Sequence, residues 1–411
     1  MISLNEAIDL VLAEVRPVGE ERLPLLEALG RVTAAEVVSP SAVPSFDNSA
    51  MDGFAVRGAD LAGAAHGEGL VITAEIPAGQ PSGEPLGPGS AARIMTGAPL
   101  PEGADTVVQV EHTEERDGRV FVQRAPAVGS NVRYAAEDVR GGDVVLPRGA
   151  VLGPAEIGLL TSIGVEELAV ARRPRVAIIA TGSELVPPGR PLGPGQIHNS
   201  NSFTAWGQVL AAGAEPVLLG IAPDDRDETR RLIARALDED VTITSGGVSV
   251  GDYDFVKQVE DELAVERRLW GVATKPGKPF AFGVHEGRLV FGVPGNPVAA
   301  MVSFELYIRP ALLALQGRHD IWRPWLTAVA DEPVKATRDR VEVRRCLLAR
   351  DESGGWRFTT TGPQGSGILR SMVLADGLVV VPARHPGGPA GEPHLVVLLE
   401  GSRGERPPYP A

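Results

Sequence analysis

From residue 175 to residue 315 the chain alternates short apolar runs with amphipathic stretches, and that alternation constrains the fold more than any other feature. Residues 175–180, RVAIIA, are apolar almost throughout, as a strand buried on both faces requires. A turn, TGSEL, follows. Helices are expected over 202–212, 225–237, 253–263 and 297–315, and further strands over 215–220, 240–244 and 288–292. Strand–helix–strand units of this kind build a parallel sheet with helices on both sides. Ligands of such sheets sit at the carboxyl ends of the strands. The turns TGSEL, SGGVSVGD and PGNP all fall at that edge.

The flanking segments read differently. Residues 3–15 form an amphipathic helix opened by a capping box of Ser3 and Glu6. A short helix is expected near 25–29. Between 39 and 149, β-type runs at 69–76, 106–112 and 119–122 alternate with Gly/Pro turns. Residues 153–163 return to a helical pattern, with Pro154 placed at the start. After Trp322 the chain is β again, at 325–330, 341–349, 356–360, 378–382 and 394–399, and the final RGERPPYPA reads as loose. Glycine (49) and proline (35) make up about a fifth of the 411 residues, which fits a chain of many turns and short strands.

Composition removes whole classes of function. A net charge of −14 and a pI near 5.1 oppose a nucleic-acid partner, which needs a basic face. The single cysteine, Cys346, excludes an internal disulfide and any multi-cysteine metal site. It lies in a strand-like apolar run and reads as a buried, inert thiol. The opening MISLNEAIDLVLAEV carries acids where a leader carries bases, and no apolar run approaches the ~20 residues of a membrane span. A cytoplasmic protein with no membrane partner is expected. The seven histidines lack metal-ligand spacing; His198 is the one near the candidate site, and it reads as structural.

Three groups of residues carry chemistry. In SGGVSVGDYD (245–254), Gly246 and Gly247 permit close backbone approach, consecutive amides form an anion nest, and Ser245 and Ser249 can donate to phosphate oxygens. Asp252 or Asp254 could hold a divalent metal. The plainer reading is a glycine turn capped by aspartate; the strand-then-helix context favours phosphate. Only four of the 39 basic residues are lysines, and two of them, Lys275 and Lys278, flank one rigid loop, KPGKP. Compact point charges held there suit phosphate or a small oxyanion. The third group is acidic: Glu184, Asp224, Asp225 and Asp252 all follow strands and could gather at one sheet edge. Oxygen ligands alone point to Mg²⁺ over zinc. Singly, each has a plain role; Asp225 is a good helix N-cap. Of two N-terminal stretches, SFDNSAMDGFAV (45–56) is dense in turn formers and reads by default as a turn, while RIMTGAP (93–99), where Thr96 and Gly97 could form an oxyanion-binding turn, reads equally as a simple loop. Asp138 is an isolated acid.

Taken together, these motifs resemble one family. DNSAMDGFAV (47–56), RIMTGAPLPEGADTVVQVE (93–111), ATGSEL (180–185), SGGVSVGDYDF (245–255), KPGKPFAFG (275–283) and PGNPVA (294–299) occur in the order found in the molybdopterin molybdenumtransferase family (MoeA). The chain is also similar to the C-terminal region of gephyrin. The resemblance runs nearly end to end. It implies an enzyme that cleaves AMP from adenylylated molybdopterin and places molybdate on the dithiolene sulfurs, with Mg²⁺ as cofactor. It implies a homodimer whose cleft lies between the α/β domain of one subunit and the N-terminal β region of the other. The adenylyltransferase of the preceding step is a further expected partner. The implied architecture is multi-domain α/β plus β: a dimerisation region of 1–26 and 140–173, a mostly β insertion over 27–139, a molybdopterin-binding α/β domain over 174–320, and a small C-terminal β-barrel over 321–411. By position, Asp52, Thr96, Asp138 and Glu184 match catalytic residues; Lys275, Lys278, Pro294 and Pro297, beside the 245–249 turn, match substrate contacts; Glu184, Asp224 and Asp252 match metal ligands. Ala136 and Ser183 depart from the family, which often has Gly and Asp there; Ser183 lowers the local negative charge. The competing readings are an adenylyltransferase, which would not need the flanking β domains, and a gephyrin-like scaffold without catalysis.

Overall fold

In a computed structural model, residues 1–64, 67–81, 83–223, 225–247, 255–335, 339–385 and 388–399 are described. The central sheet has six strands in the order Glu215–Ala222, Arg175–Thr181, Val241–Ser245, Arg288–Val293, Ala281–His285, Glu266–Trp270. The first four are parallel, as expected. The last two are antiparallel, so the sheet is mixed. The cause is local. Glu286 and Gly287 take φ of 49° and 81°, the two left-handed residues of a tight hairpin, which turns the chain straight back. Arg175–Thr181 lies between the strands that follow it in sequence, so a topological switch point opens at its carboxyl end.

Hydrophobic cores cover both faces. One joins Val176, Ile178, Ile243 and Phe291 to the helical stretch beyond Pro297, and the N-terminal helix Leu4–Ala13 packs into it through Ala7 and Val11. That helix starts as its sequence dictates: Ser3 Oγ accepts from the Glu6 N–H at 3.2 Å, and Glu6 accepts from the Ser3 N–H at 2.7 Å. Residues Pro297–Leu315 are apolar and long enough to cross a membrane, but 78% of that window is buried inside the protein. Midway, Phe304–Ile308 is a π-helical turn; it brings Tyr307 against Phe280, with ring centroids 4.3 Å apart.

Two β units flank this body. Residues 53–122 supply a six-stranded sheet with a separate apolar cluster on each face. At the C-terminus, Val341–Arg350, Trp356–Thr360, Trp325–Ala330, Pro393–Leu398 and Gly377–Val381 close into a barrel, the last strand pairing back with the first. Alternating residues fill it, including Ala328, Cys346, Phe358, Val379 and Val396. Cys346 is fully buried, and burial pushes its thiol up to about 12, as an inert cysteine requires. A sixth strand, Thr274–Lys275, leaves the α/β unit and pairs in parallel with Val341–Arg350. The lysine loop is thereby stitched to the barrel.

His394 points into the barrel end beside His385 and Phe358. Burial, reinforced by His385, lowers its pKa below the usual histidine value. A depressed pKa means the unfolded chain binds the proton first, so barrel stability is complete above about pH 6.5 and falls as the pH drops below it. We predict that denaturant midpoints decline between pH 7 and 5, and that His394→Leu flattens this decline; an unchanged slope in the variant would assign it to other groups.

Candidate active site

The carboxyl edge of the sheet carries two adjoining cavities. The first, about 280 Å³, is lined by Thr181, Glu184, His198, Asn201, Ser245, Gly295, Pro297 and Gly367, among others. Its walls follow from the sequence. Gly246 sits at φ +91°, and a Cβ there would lie 2.6 Å from Thr181 Oγ1; glycine lets the ends of two neighbouring strands meet. Asn201 Nδ2 donates to Ser245 Oγ and to the Gly295 carbonyl, both at 2.8 Å, and ties three strand-end turns together. Glu184 and His198 are both exposed to this space. His198 is therefore a wall residue of the cavity, not the structural histidine expected. It stands at a strand end, paired with Val186, where its ring faces out of the fold.

The second cavity, about 260 Å³, is lined by Lys275, Lys278, Pro294, Asn296, Arg340, Glu342, Arg344, Arg345 and residues 364–366, with others. The two cavities share the PGNP turn and the 364–367 loop: Pro294 and Asn296 face one, Gly295 and Pro297 the other. Three of the five cations in this wall, Arg340, Arg344 and Arg345, come from the barrel strand Val341–Arg350 and the residue before it. Glu342 Oε1 accepts from Arg344 Nη2 at 2.9 Å and lies 3.2 Å from Lys275 Nζ. Arg345 is fully buried; its Nε donates to Ser371 Oγ at 3.0 Å and its Nη2 to the Gly365 carbonyl at 3.1 Å. Burial, with Arg344 adjacent, lowers Arg345 to about 10, so it remains charged at neutral pH.

The N-terminal residues form a separate cluster. Gly53 is crossed so closely by the neighbouring strand that a Cβ would lie 2.0 Å from the Val108 carbonyl oxygen. That crossing places Asp52 at the strand end, where its Oδ1 accepts from the Thr96 N–H at 2.7 Å and from Thr96 Oγ1 at 2.8 Å. These bonds, backbone first, hold the Asp52 carboxyl below its ordinary range. The Thr96 donors are thus turned onto a carboxylate of the protein, which favours the simple-loop reading of this stretch over an oxyanion-binding turn. Asp138 is held by a different contact, its N–H donating to the Val43 carbonyl at 3.0 Å. Among the described residues, none of 27–139 lines either cavity.

The predicted residues therefore divide. Glu184, Ser245 and Pro297 meet in one cavity, Lys275, Lys278 and Pro294 in the next, and Asp52 and Thr96 pair elsewhere. Gly246 and Gly247, both at positive φ, follow Ser245. Ser249, Asp224, Asp252 and Asp254 lie outside the described residues. Asp225 caps the helix Arg226–Ala236, accepting from the Glu228 N–H at 2.9 Å, so its side chain is used structurally. Among the described residues no three His, Cys, Asp or Glu side chains gather as a metal site. The first cavity nonetheless offers the Glu184 carboxylate and the hydroxyls of Thr181, Ser200 and Ser245, hard oxygen donors of the kind Mg²⁺ takes.

Sequence reasoning missed Asn201, Arg344, Arg345 and Glu342. The signal available for the last three was VEVRRC: adjacent arginines in a strand cannot both face solvent on one side of a sheet. Ala136 adds a smaller point. It sits at φ +62°, in the left-handed region that costs a residue with a Cβ ~1 kcal/mol or more. We predict that Ala136→Gly raises stability in urea by roughly 0.5 kcal/mol, the relief of strain exceeding the added unfolded-state entropy.

Comparison with known proteins gives the family of the chain. Residues 2–164 match the MoeA N-terminal region (domain I and II), 177–314 the probable molybdopterin binding domain, and 327–399 the MoeA C-terminal region (domain IV). A molybdopterin molybdenumtransferase of Haemophilus influenzae is 38% identical over 397 residues, covering 95% of this chain and 97% of that protein. Molybdopterin molybdenumtransferase 2 of Mycobacterium tuberculosis is 39% identical over 390 residues, covering 93% and 96%. A crystal structure of the molybdopterin biosynthesis MoeA protein of Pyrococcus horikosii superposes with a TM-score of 0.83 at 33% identity, over 98% of this chain and 100% of that one. The three-part match, the near full-length identity and the shared fold show that this chain belongs to the molybdopterin molybdenumtransferase family.

Proposed function

We propose that the chain completes molybdenum cofactor synthesis: it takes adenylylated molybdopterin, releases AMP and transfers molybdate to the dithiolene sulfurs. One observation carries this reading. Two cavities with a common wall differ in chemistry, one lined by hydroxyls, an amide and Glu184, the other by lysines and arginines. A substrate with a phosphoanhydride, used together with a separate oxyanion, needs two such compartments side by side. Lys275 and Lys278 supply point charges for the oxyanion. Ser245 and the turn after it supply donors for phosphate. Catalysis of this kind is mostly positioning and charge stabilisation.

Mg²⁺ is the cofactor of this reading, held by Glu184 with Asp224 and Asp252; when bound it offsets the charge of the pyrophosphate. Asp52, oriented by Thr96, acts on the attacking oxygen, and it reaches the cavities from a second copy of the chain in a homodimer. The adenylyltransferase of the preceding step delivers the substrate in the cytoplasm. The test is direct. Purified protein given adenylylated molybdopterin, molybdate and Mg²⁺ should release AMP, stop on chelation with EDTA and resume with added Mg²⁺. Consumption of ATP with molybdopterin would identify an adenylyltransferase instead, and no turnover of either substrate a scaffold.

A further inference from the structure

We propose that Glu342 is a positioning residue of the cationic cavity: its buried carboxylate holds the Lys275 ammonium beside the Arg344 guanidinium and so sets the lysine on the cavity wall before a ligand arrives. The proposal rests on reading this cavity as the oxyanion compartment of a molybdenumtransferase.

The backbone makes the contact obligatory. Thr274–Lys275 and Val341–Arg350 run in parallel with Lys275 opposite Glu342. Side chains at paired positions of neighbouring strands stand on the same face. The carboxylate is therefore delivered to the lysine by the register. One oxygen, Oε1, takes both cations, Arg344 Nη2 at 2.9 Å and Lys275 Nζ at 3.2 Å.

Exposure gives the contact its meaning. The Glu342 side chain is 5% exposed, Arg344 13% and Lys275 50%. A half-exposed lysine sits on a flexible four-carbon stem, and beside Arg344 it meets repulsion that a carboxylate between them offsets. A carboxylate in an anion-binding wall subtracts from raw affinity, and burying it is costly unless cations attend it. Its placement makes sense as geometry: it converts two repelling cations into a fixed pair. The tie also spans two units, since Lys275 comes from the α/β body and Glu342 from the barrel. The cavity is therefore assembled only with the barrel seated.

The experiment is a double-mutant cycle on molybdate-dependent AMP release, comparing Glu342→Gln, Lys275→Ala and the double variant, with kcat and KM for molybdate separated. Glu342→Gln should raise KM roughly 10-fold with kcat little changed, and the double variant should be no worse than Lys275→Ala alone. Multiplying losses in the double variant, or a parental KM in Glu342→Gln, would overturn the proposal. Should Glu342→Gln not fold, Glu342→Asp replaces it in the cycle; it keeps the charge and loses one carbon of reach, so a raised KM that vanishes in the Lys275→Ala background supports the role and additivity overturns it. Parental turnover by Lys275→Ala would overturn the functional reading itself, a result separate from failure of the cycle.

Discussion

Arg345→Met should raise the KM for molybdate about 30-fold while leaving the thermal midpoint within a few degrees of the parent. Arg345 heads the largest fully buried side chains of the described protein. Its guanidinium bonds to Ser371 Oγ and the Gly365 carbonyl, and its N–H donates to Gln364 Oε1 at 2.9 Å. All three partners are neutral, and among the described residues no carboxylate pairs with it. An oxyanion in the cavity would supply the counter-charge that these neutral partners do not. A charge-assisted hydrogen bond contributes about 1.5–3 kcal/mol, or roughly 10- to 100-fold in affinity. The effect on folding is smaller because two terms oppose. Methionine takes one of two donors from the Gly365 carbonyl, which keeps the Ile368 N–H at 3.3 Å, and it also removes the cost of burying an uncompensated cation. Ser371 keeps a partner in the Ile368 carbonyl at 2.6 Å. Arg345→Lys separates charge from geometry. If charge at the wall is what matters, lysine should recover most of the loss; if the fork that grips 364–371 matters, it should recover little. An unchanged KM in Arg345→Met would remove this residue from the site.

The parts that could be read from the sequence were those fixed by local pattern. Trp325–Ala330 and Trp356–Thr360 are strands with the bounds their alternation set, and the capping box of Ser3 and Glu6 formed as written. The three glycine-bearing turns reached one sheet edge because parallel topology allows little else. What escaped was what depends on contact between distant segments. Glu266–Trp270 carries Glu266, Arg267 and Arg268 and shows no apolar run; as an edge strand it borrows its order from Ala281–His285. The cationic cavity needed the barrel's register against Thr274–Lys275, which no periodicity in either segment reveals. His198 was misjudged for the same reason, since its exposure depends on a two-residue pairing of Leu185–Val186 with Ile197–His198.

Asp52→Asn should lower AMP release by ~10³-fold or more while pterin binding stays nearly intact. Thr96 supplies both bonds to Asp52, and both land on Oδ1. Asparagine can accept them equally well, so the turn should hold and only the charge is lost. Those bonds favour the ionised carboxyl, so in the proposed reaction it would act as an anion toward an incoming oxygen and not as a proton donor. Within one chain the Asp52–Thr96 pair lines neither cavity; in the proposed homodimer it serves the site of the other subunit. That geometry has a quantitative consequence. Asp52→Asn and Glu184→Ala, the latter in the first cavity, should each be inactive alone. Unfolded together in equal amounts and refolded, half the dimers would be mixed, and each mixed dimer would contain one site with both native residues. Activity should then recover to about a quarter of the parent. A site built within one chain predicts no recovery at all, because every chain in the mixture carries one of the two substitutions.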